Sequence, residues 1–217
     1  MKHARILVSL AFIGLAASAH AGSITDPAGD FIPTFTGTKS PDLDVLSAFA
    51  TYDGTQFHFG ATVNGRVGTL ASSLYVFGIN RGAGTSSFAA INAPGVIFDA
   101  VITMTGAGVV AGRDLVANAA LAIPAGSASI TGNTFQINIG GALLPSLGLT
   151  PAQYGVNLWP RDTTQVGTAA ISDFAPNNSD FLVGATTVPE PLTASLVLSG
   201  LIAVGAVRRR GMRARIE

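Results

Sequence analysis

Between residues 55 and 63 apolar and polar positions alternate one by one, not in threes and fours. In TQFHFGATV, Phe57, Phe59, Ala61 and Val63 share one face, while Gln56, His58, Gly60 and Thr62 share the other. That is the period-two pattern of a half-buried strand. Asp53-Gly54 separates this run from LDVLSAFATY, and Asp-Gly supplies the positive φ that a tight hairpin turn needs. Further strands are expected at SLYVFGINR, VIFDAVITMT, SASITGN-TFQINIG and YGVNLWPR, each bounded by Gly, Pro or Asn, with a fainter pattern in GVVAGRDLV. One short helix is expected within GALLPSLGLTPAQY, where Thr150 can cap a turn opened by Pro151. Many short strands with glycine-rich turns predict an all-β fold, an antiparallel β-sandwich of jelly-roll-like form.

Two apolar stretches break the alternation. Lys2 and Arg5 precede an apolar run from Ile6 to Ala17, and Ala19-His20-Ala21 follows it. Charged start, short apolar run and small-x-small site read as a secretory signal peptide over residues 1–21, with Ala19 and Ala21 presented to signal peptidase. The competing reading, a retained anchor helix, calls for a longer apolar run. At the other end, Leu192 to Val207 is free of charge. As a transmembrane helix it would be about 24 Å long against a hydrocarbon core of about 30 Å. Snorkelling of the arginines that follow covers the deficit.

Charge sharpens this picture. Residues 22–187 carry Lys39, Arg66, Arg81, Arg113 and Arg161 against ten aspartates and no glutamate, a net of −5. Residues 188–217 carry five arginines against Glu190 and Glu217, a net of +3, and residues 1–21 carry +2. Basic residues beside apolar segments stay cytoplasmic. Both ends therefore place the body, residues 22–187, outside the cytoplasmic membrane. An acidic body poor in Lys and Arg argues against nucleic acid as a partner, because phosphates need neutralising. The chain has no cysteine, which removes disulfides, thiolate metal sites and cysteine nucleophiles.

Between body and apolar segment stands Val188-Pro189-Glu190-Pro191. A residue before proline is driven to extended backbone, the form that proteases bind. Val188, Pro189, Glu190 and Pro191, then the apolar segment, then Arg208, Arg209 and Arg210 together resemble the PEP-CTERM sorting signal of Gram-negative bacteria. The resemblance covers residues 188–217. It implies transient anchoring in the inner membrane, recognition by an exosortase-type membrane protease, and a final place in the cell envelope or extracellular matrix. It also implies a link to exopolysaccharide and biofilm. The competing reading of the tail is an ordinary membrane anchor.

The body offers few chemical candidates. Asp26, Asp30, Asp42 and Asp44 are its densest carboxylates, and oxygen ligands from two such loops suit calcium at the weak affinities extracellular modules tolerate. Their competing role is to organise an Asx-type turn and a strand entrance. His58 is the one histidine of the body, with no G-x-S-x-G elbow anywhere near it in sequence, so a half-exposed strand histidine is the simpler reading. A body without glutamate makes paired-carboxylate glycoside hydrolysis unattractive. The expected protein is therefore non-enzymatic. Trp159 and Arg161, in Trp159-Pro160-Arg161-Asp162, bring a ring and a guanidinium together for a sugar, against the competing role of Trp159 as core. The opening ITDPAGD, the DL strand and the Asp-Gly hairpin resemble DOMON-like or family-9-like carbohydrate-binding β-sandwiches. That resemblance implies a carbohydrate- or small-ligand-binding module as the alternative function.

Overall fold

The computed structural model describes residues 22–185. Ala19 and Ala21 of the signal-peptidase site, and Val188, Pro189, Glu190, Pro191, Arg208, Arg209 and Arg210 of the tail, lie outside the described residues. Among the described residues no helix is long and apolar enough to cross a membrane.

The described chain is all-β, and its helical content is confined to short 3₁₀ turns. Its strands are β1 (Gly22–Thr25), β2 (Val45–Tyr52), β3 (Gln56–Val63), β4 (Ser73–Asn80), β5 (Thr85–Phe88), β6 (Ala93–Phe98), β7 (Ala100–Thr105), β8 (Val110–Asp114), β9 (Ala119–Ala120), β10 (Ala128–Thr131), β11 (Thr134–Gly140), β12 (Gly155–Asp162), β13 (Phe181–Leu182) and β14 (Gly184–Ala185). One sheet runs β1-β2-β3-β11-β10 and a second runs β13-β12-β4-β7-β8-β9, with β5 and β6 pairing apart. Pairing is antiparallel except that β14 lies parallel to the end of β2, with Gly184 opposite Thr51.

The β2–β3 hairpin forms as its pattern dictates. Gly54 sits at φ +98°, and Asp53 Oδ1 accepts the N–H groups of Thr55 and Gln56 at 2.7 Å each. Phe57, Phe59, Ala61 and Val63 are all at most 3% exposed. They meet residues of the second sheet in one core. Phe59 lies 5.4 Å from Phe77 of β4, and Tyr75 of β4 lies 4.7 Å from Phe135 of β11, centroid to centroid. Each such ring contributes about 1.5–3 kcal/mol by leaving water.

The central strands of the second sheet are covered on both faces. Val156 and Leu158 of β12 point into the shared core, while Trp159 and Val76 join a second cluster with Ile32, Phe35, Val96 and Phe174. That cluster comes from the segment before β2, the β5–β6 pair and the segment after β12.

Two expectations are corrected. VIFDAVITMT is not one strand: β6 ends at Phe98 and β7 starts at Ala100. Asp99 between them is 2% exposed and turns its carboxylate to the fully buried Arg81, with Nε donating to Oδ1 at 2.6 Å. The guanidinium also donates to Asp114 Oδ2 at 2.9 Å, so one arginine ties the ends of β4, β6 and β8. The expected helix is two separate 3₁₀ turns, Gly141–Leu143 and Pro151–Gln153. Thr150 does open the second: its N–H donates to Gln153 Oε1 at 3.0 Å.

Candidate functional site

Beyond the end of β1 the chain turns through Asp26 to Asp30 with Gly29 at φ +80°. Asp44 holds that turn: its two oxygens accept the Gly29 N–H at 3.0 and 2.9 Å, and Asn64 Nδ2 donates to it at 2.9 Å. Asp44 is thus a satisfied clamp. Asp42 is fully buried elsewhere, accepting Leu70 N–H at 3.1 Å and the Tyr75 hydroxyl at 3.4 Å. The four aspartates expected to act together therefore divide.

Asp26 and Asp30 instead meet Asp173, one oxygen from each lying within 4.8 Å of the others. Asp173 is fully buried, and its oxygens accept Val45 N–H at 2.9 Å and Phe174 N–H at 2.7 Å. Asn177 Nδ2 donates to Asp30 Oδ2 at 3.2 Å. Asp26 Oδ2 and Asp30 Oδ1 are buried with no hydrogen-bond partner. Burial, then repulsion from Asp173, Asp30 and Asp44, pushes the Asp26 carboxyl up to about 8. Burial pushes Asp173 up to about 7 against the two backbone donors, with Asp30 and Asp44 adding to the rise. Orphaned buried oxygens and crowded carboxyls are relieved either by protons or by a cation. A hard, all-oxygen donor set fits calcium, with water completing the shell.

The stacking candidates are placed differently. Trp159 is 2% exposed, with Phe98 and Phe88 at 5.0 and 5.2 Å, so no open ring face meets solvent. Its strand lies between β4 and β13, with Trp159 opposite Val76. Arg161, whose pKa burial lowers, donates from Nη2 to Gly167 O at 2.9 Å.

His58 stands on the outer face of the first sheet. Nδ1 is 2.8 Å from Asn138 Oδ1 and Nε2 is 3.0 Å from Asp53 Oδ2. Burial alone would lower its pKa, but these hydrogen bonds outweigh it and the net shift is upward. Both ring nitrogens are thus engaged, and neither partner is a hydroxyl nucleophile.

Sequence reasoning missed Asp173. It sits alone in ISDFAP, with no neighbouring carboxylate to mark it, and only the fold brings it to the Asp26 turn. Comparison with protein-family models, curated proteins and solved structures gave no match.

Proposed function

We propose that the chain is an exported, non-enzymatic protein of the bacterial envelope or extracellular matrix, a jelly-roll-like β-sandwich sorted by an exosortase-type membrane protease. The order of segments in the sequence carries this reading. A signal peptide ending at Ala19-His20-Ala21 is removed by signal peptidase, and Leu192 to Val207 then holds the precursor in the inner membrane. Val188-Pro189-Glu190-Pro191 is the substrate, and Arg208, Arg209 and Arg210 fix its orientation. Thr186 and Thr187 alone separate that motif from Ala185 of β14, so a cut there leaves the body complete. On this reading the catalysis belongs to the exosortase, and the body's neighbour is exopolysaccharide.

Intact mass of the protein from the matrix of its native host tests the reading. The expected species starts at Gly22 and ends within Val188–Pro191, and Glu190→Ala accumulates precursor in the inner membrane. A matrix species still carrying Arg208 to Glu217, or normal release of Glu190→Ala, refutes it.

A second reading is favoured by the orphaned oxygens of Asp26 and Asp30 beside Asp173. On it the body is a carbohydrate- or small-ligand-binding module that takes up calcium after export. The ion would pin the turn after β1 to the segment after β12, and millimolar affinity suffices outside the cell.

A further inference from the structure

The central strands of the second sheet are buried on both sides, whereas the first sheet turns one face to water. Strand register lays out that face. Thr25, Ser47, Thr62, Thr134 and Thr131 stand side by side across five strands. In the next row are Ser23, Phe49, Gly60, Gln136 and Ser129. Neither row holds a charged residue.

Phe49 is the aromatic ring of this face. It lies over Gly60, where a Cβ would collide with its Cε1 and Cζ atoms. Glycine at this strand position therefore lets a ring settle against the backbone. Beside it is a cavity of about 270 Å³, walled by Phe49, Thr62, Ser129, Thr131, Thr134 and Gln136. That is just under the roughly 300–1,000 Å³ of sites for drug-sized ligands. Gln136 is held by donating from Nε2 to Asn138 Oδ1 at 2.7 Å, and among the described residues its Oε1 accepts no hydrogen bond. The Thr134 hydroxyl donates to Thr131 O at 2.9 Å, whereas the hydroxyls of Thr62, Ser129 and Thr131 have no side-chain hydrogen bond among the described residues.

We propose that this face binds a neutral polysaccharide, one sugar ring packing on Phe49 while its hydroxyls bond to Thr62, Ser129, Thr131 and Gln136. An aromatic ring beside hydroxyls and an amide matches a pyranose, which shows C–H groups on its faces and hydroxyls at its rim. The lack of Lys and Arg in both rows leaves an acidic polymer without a counter-charge. Neutral glycan is the occupant that fits. The inference rests on the carbohydrate-binding reading of the body and gives it a site other than Trp159 and Arg161.

Calorimetric titration of the full-length chain in mild detergent tests this. The probes are neutral hexasaccharides of β-1,4-glucan, β-1,3-glucan, α-1,4-glucan and β-1,4-mannan, with a hexauronate as the charged comparison. At least one neutral probe should bind saturably, and Phe49→Ala should weaken it at least tenfold while the emission of buried Trp159 stays unchanged. Gln136→Leu, which keeps the ring, should weaken it several-fold. Binding that survives Phe49→Ala overturns the site but leaves the carbohydrate reading standing. No binding by any probe at 10 mM, about 100 times a 0.1 mM dissociation constant, overturns both. Equal affinity for the hexauronate overturns the neutral ligand, and a change of oligomeric state in Phe49→Ala with no loss of saccharide assigns the face to a second copy of the chain.

Discussion

Replacing Arg81 with methionine should cost the fold about 3–5 kcal/mol. The figure follows from what the guanidinium leaves behind. Arg81 is fully buried, and Asp99, its closest partner at 2.6 Å, has a fully buried side chain. Methionine fills much of the volume but removes the compensating charge, and breaking a buried pair from one side costs about 3–5 kcal/mol. Asp99 would keep the N–H groups of Arg81 and Ala83, at 2.8 and 3.0 Å, which hold the loss toward the lower end. Asp114 adds little, since its side chain is 13% exposed and it retains Val116 and Ala117 N–H donors at 2.9 and 2.8 Å. Against a total stability of about 5–15 kcal/mol, the change is large.

Urea denaturation read by tryptophan emission measures it. Trp159 is the single tryptophan and is 2% exposed, so its emission shifts to the red on unfolding. With a slope of about 2–3 kcal/mol per molar urea, the midpoint should fall by about 1–2 M. Adding Asp99→Asn to Arg81→Met removes the stranded charge and keeps an acceptor for the two N–H groups. The double variant should therefore be the more stable of the two, a coupling of about 2 kcal/mol or more. Arg81→Met within about 1 kcal/mol of the parent, or a double variant no better than the single, refutes the assignment of the cost to an uncompensated Asp99.

The remaining predictions concern the acidic cluster and the covered sheet. Calcium at 10 mM and pH 8 should raise the urea midpoint by about 1 M, as expected for about 100-fold excess over the dissociation constant; no rise, or the same rise in Asp26→Asn with Asp173→Asn, removes the cation reading. In EDTA the sign of the pH dependence is fixed by carboxyls raised to about 8 at Asp26 and about 7 at Asp173. Their contribution is complete below about pH 4 and is lost as pH rises through 7 to 8, because the unfolded chain gives up those protons first; urea midpoints flat from pH 4 to 8 in EDTA would count against it. Gly78→Ala places a Cβ against Cη2 and Cζ3 of Trp159 and 3.2 Å from Phe98 Cβ. It should cost about 1–3 kcal/mol by overpacking and change the emission of the folded protein; an unchanged spectrum and midpoint would show that the second cluster is loosely packed.

What the sequence made legible was local. The alternation in β3 and the Asp53-Gly54 turn depend on neighbours in the chain, and both form as expected. The break at Asp99 depends on Arg81, which the sequence shows only as a lone charge at the end of an apolar run. Alternation also says which residues oppose each other without saying whether the far side is open. Val156 and Leu158 face one way and Trp159 the other, and a strand covered on one face would have left that indole to solvent. Cover from three distant segments buries it instead. The four aspartates divide for the same reason: spacing picked out Asp26 and Asp30, but their partner Asp173 is brought in by tertiary structure, and Asp44 is taken by the Gly29 turn.

That distinction also decides where a ligand can be met. A residue fit to bind must be reachable, and the rings with the largest surfaces in this body are spent on its two cores: Trp159, Tyr75, Tyr154, Phe77 and Phe174 are each at most 2% exposed. On the outer face of the first sheet stand hydroxyls, amides, His58 and the partly buried Phe49, and carboxylates gather at the turn after β1. The two surfaces differ in what they select. The carboxylates discriminate by charge and so respond to cations and pH, whereas the uncharged rows discriminate by shape and hydrogen bonding. Added salt and acid therefore read them differently: saccharide binding on the sheet face should hold with added salt, while calcium uptake should fall with acid, and coupling of the two would run through Val45 of β2, whose N–H Asp173 holds, and through Thr25 of β1, which precedes Asp26.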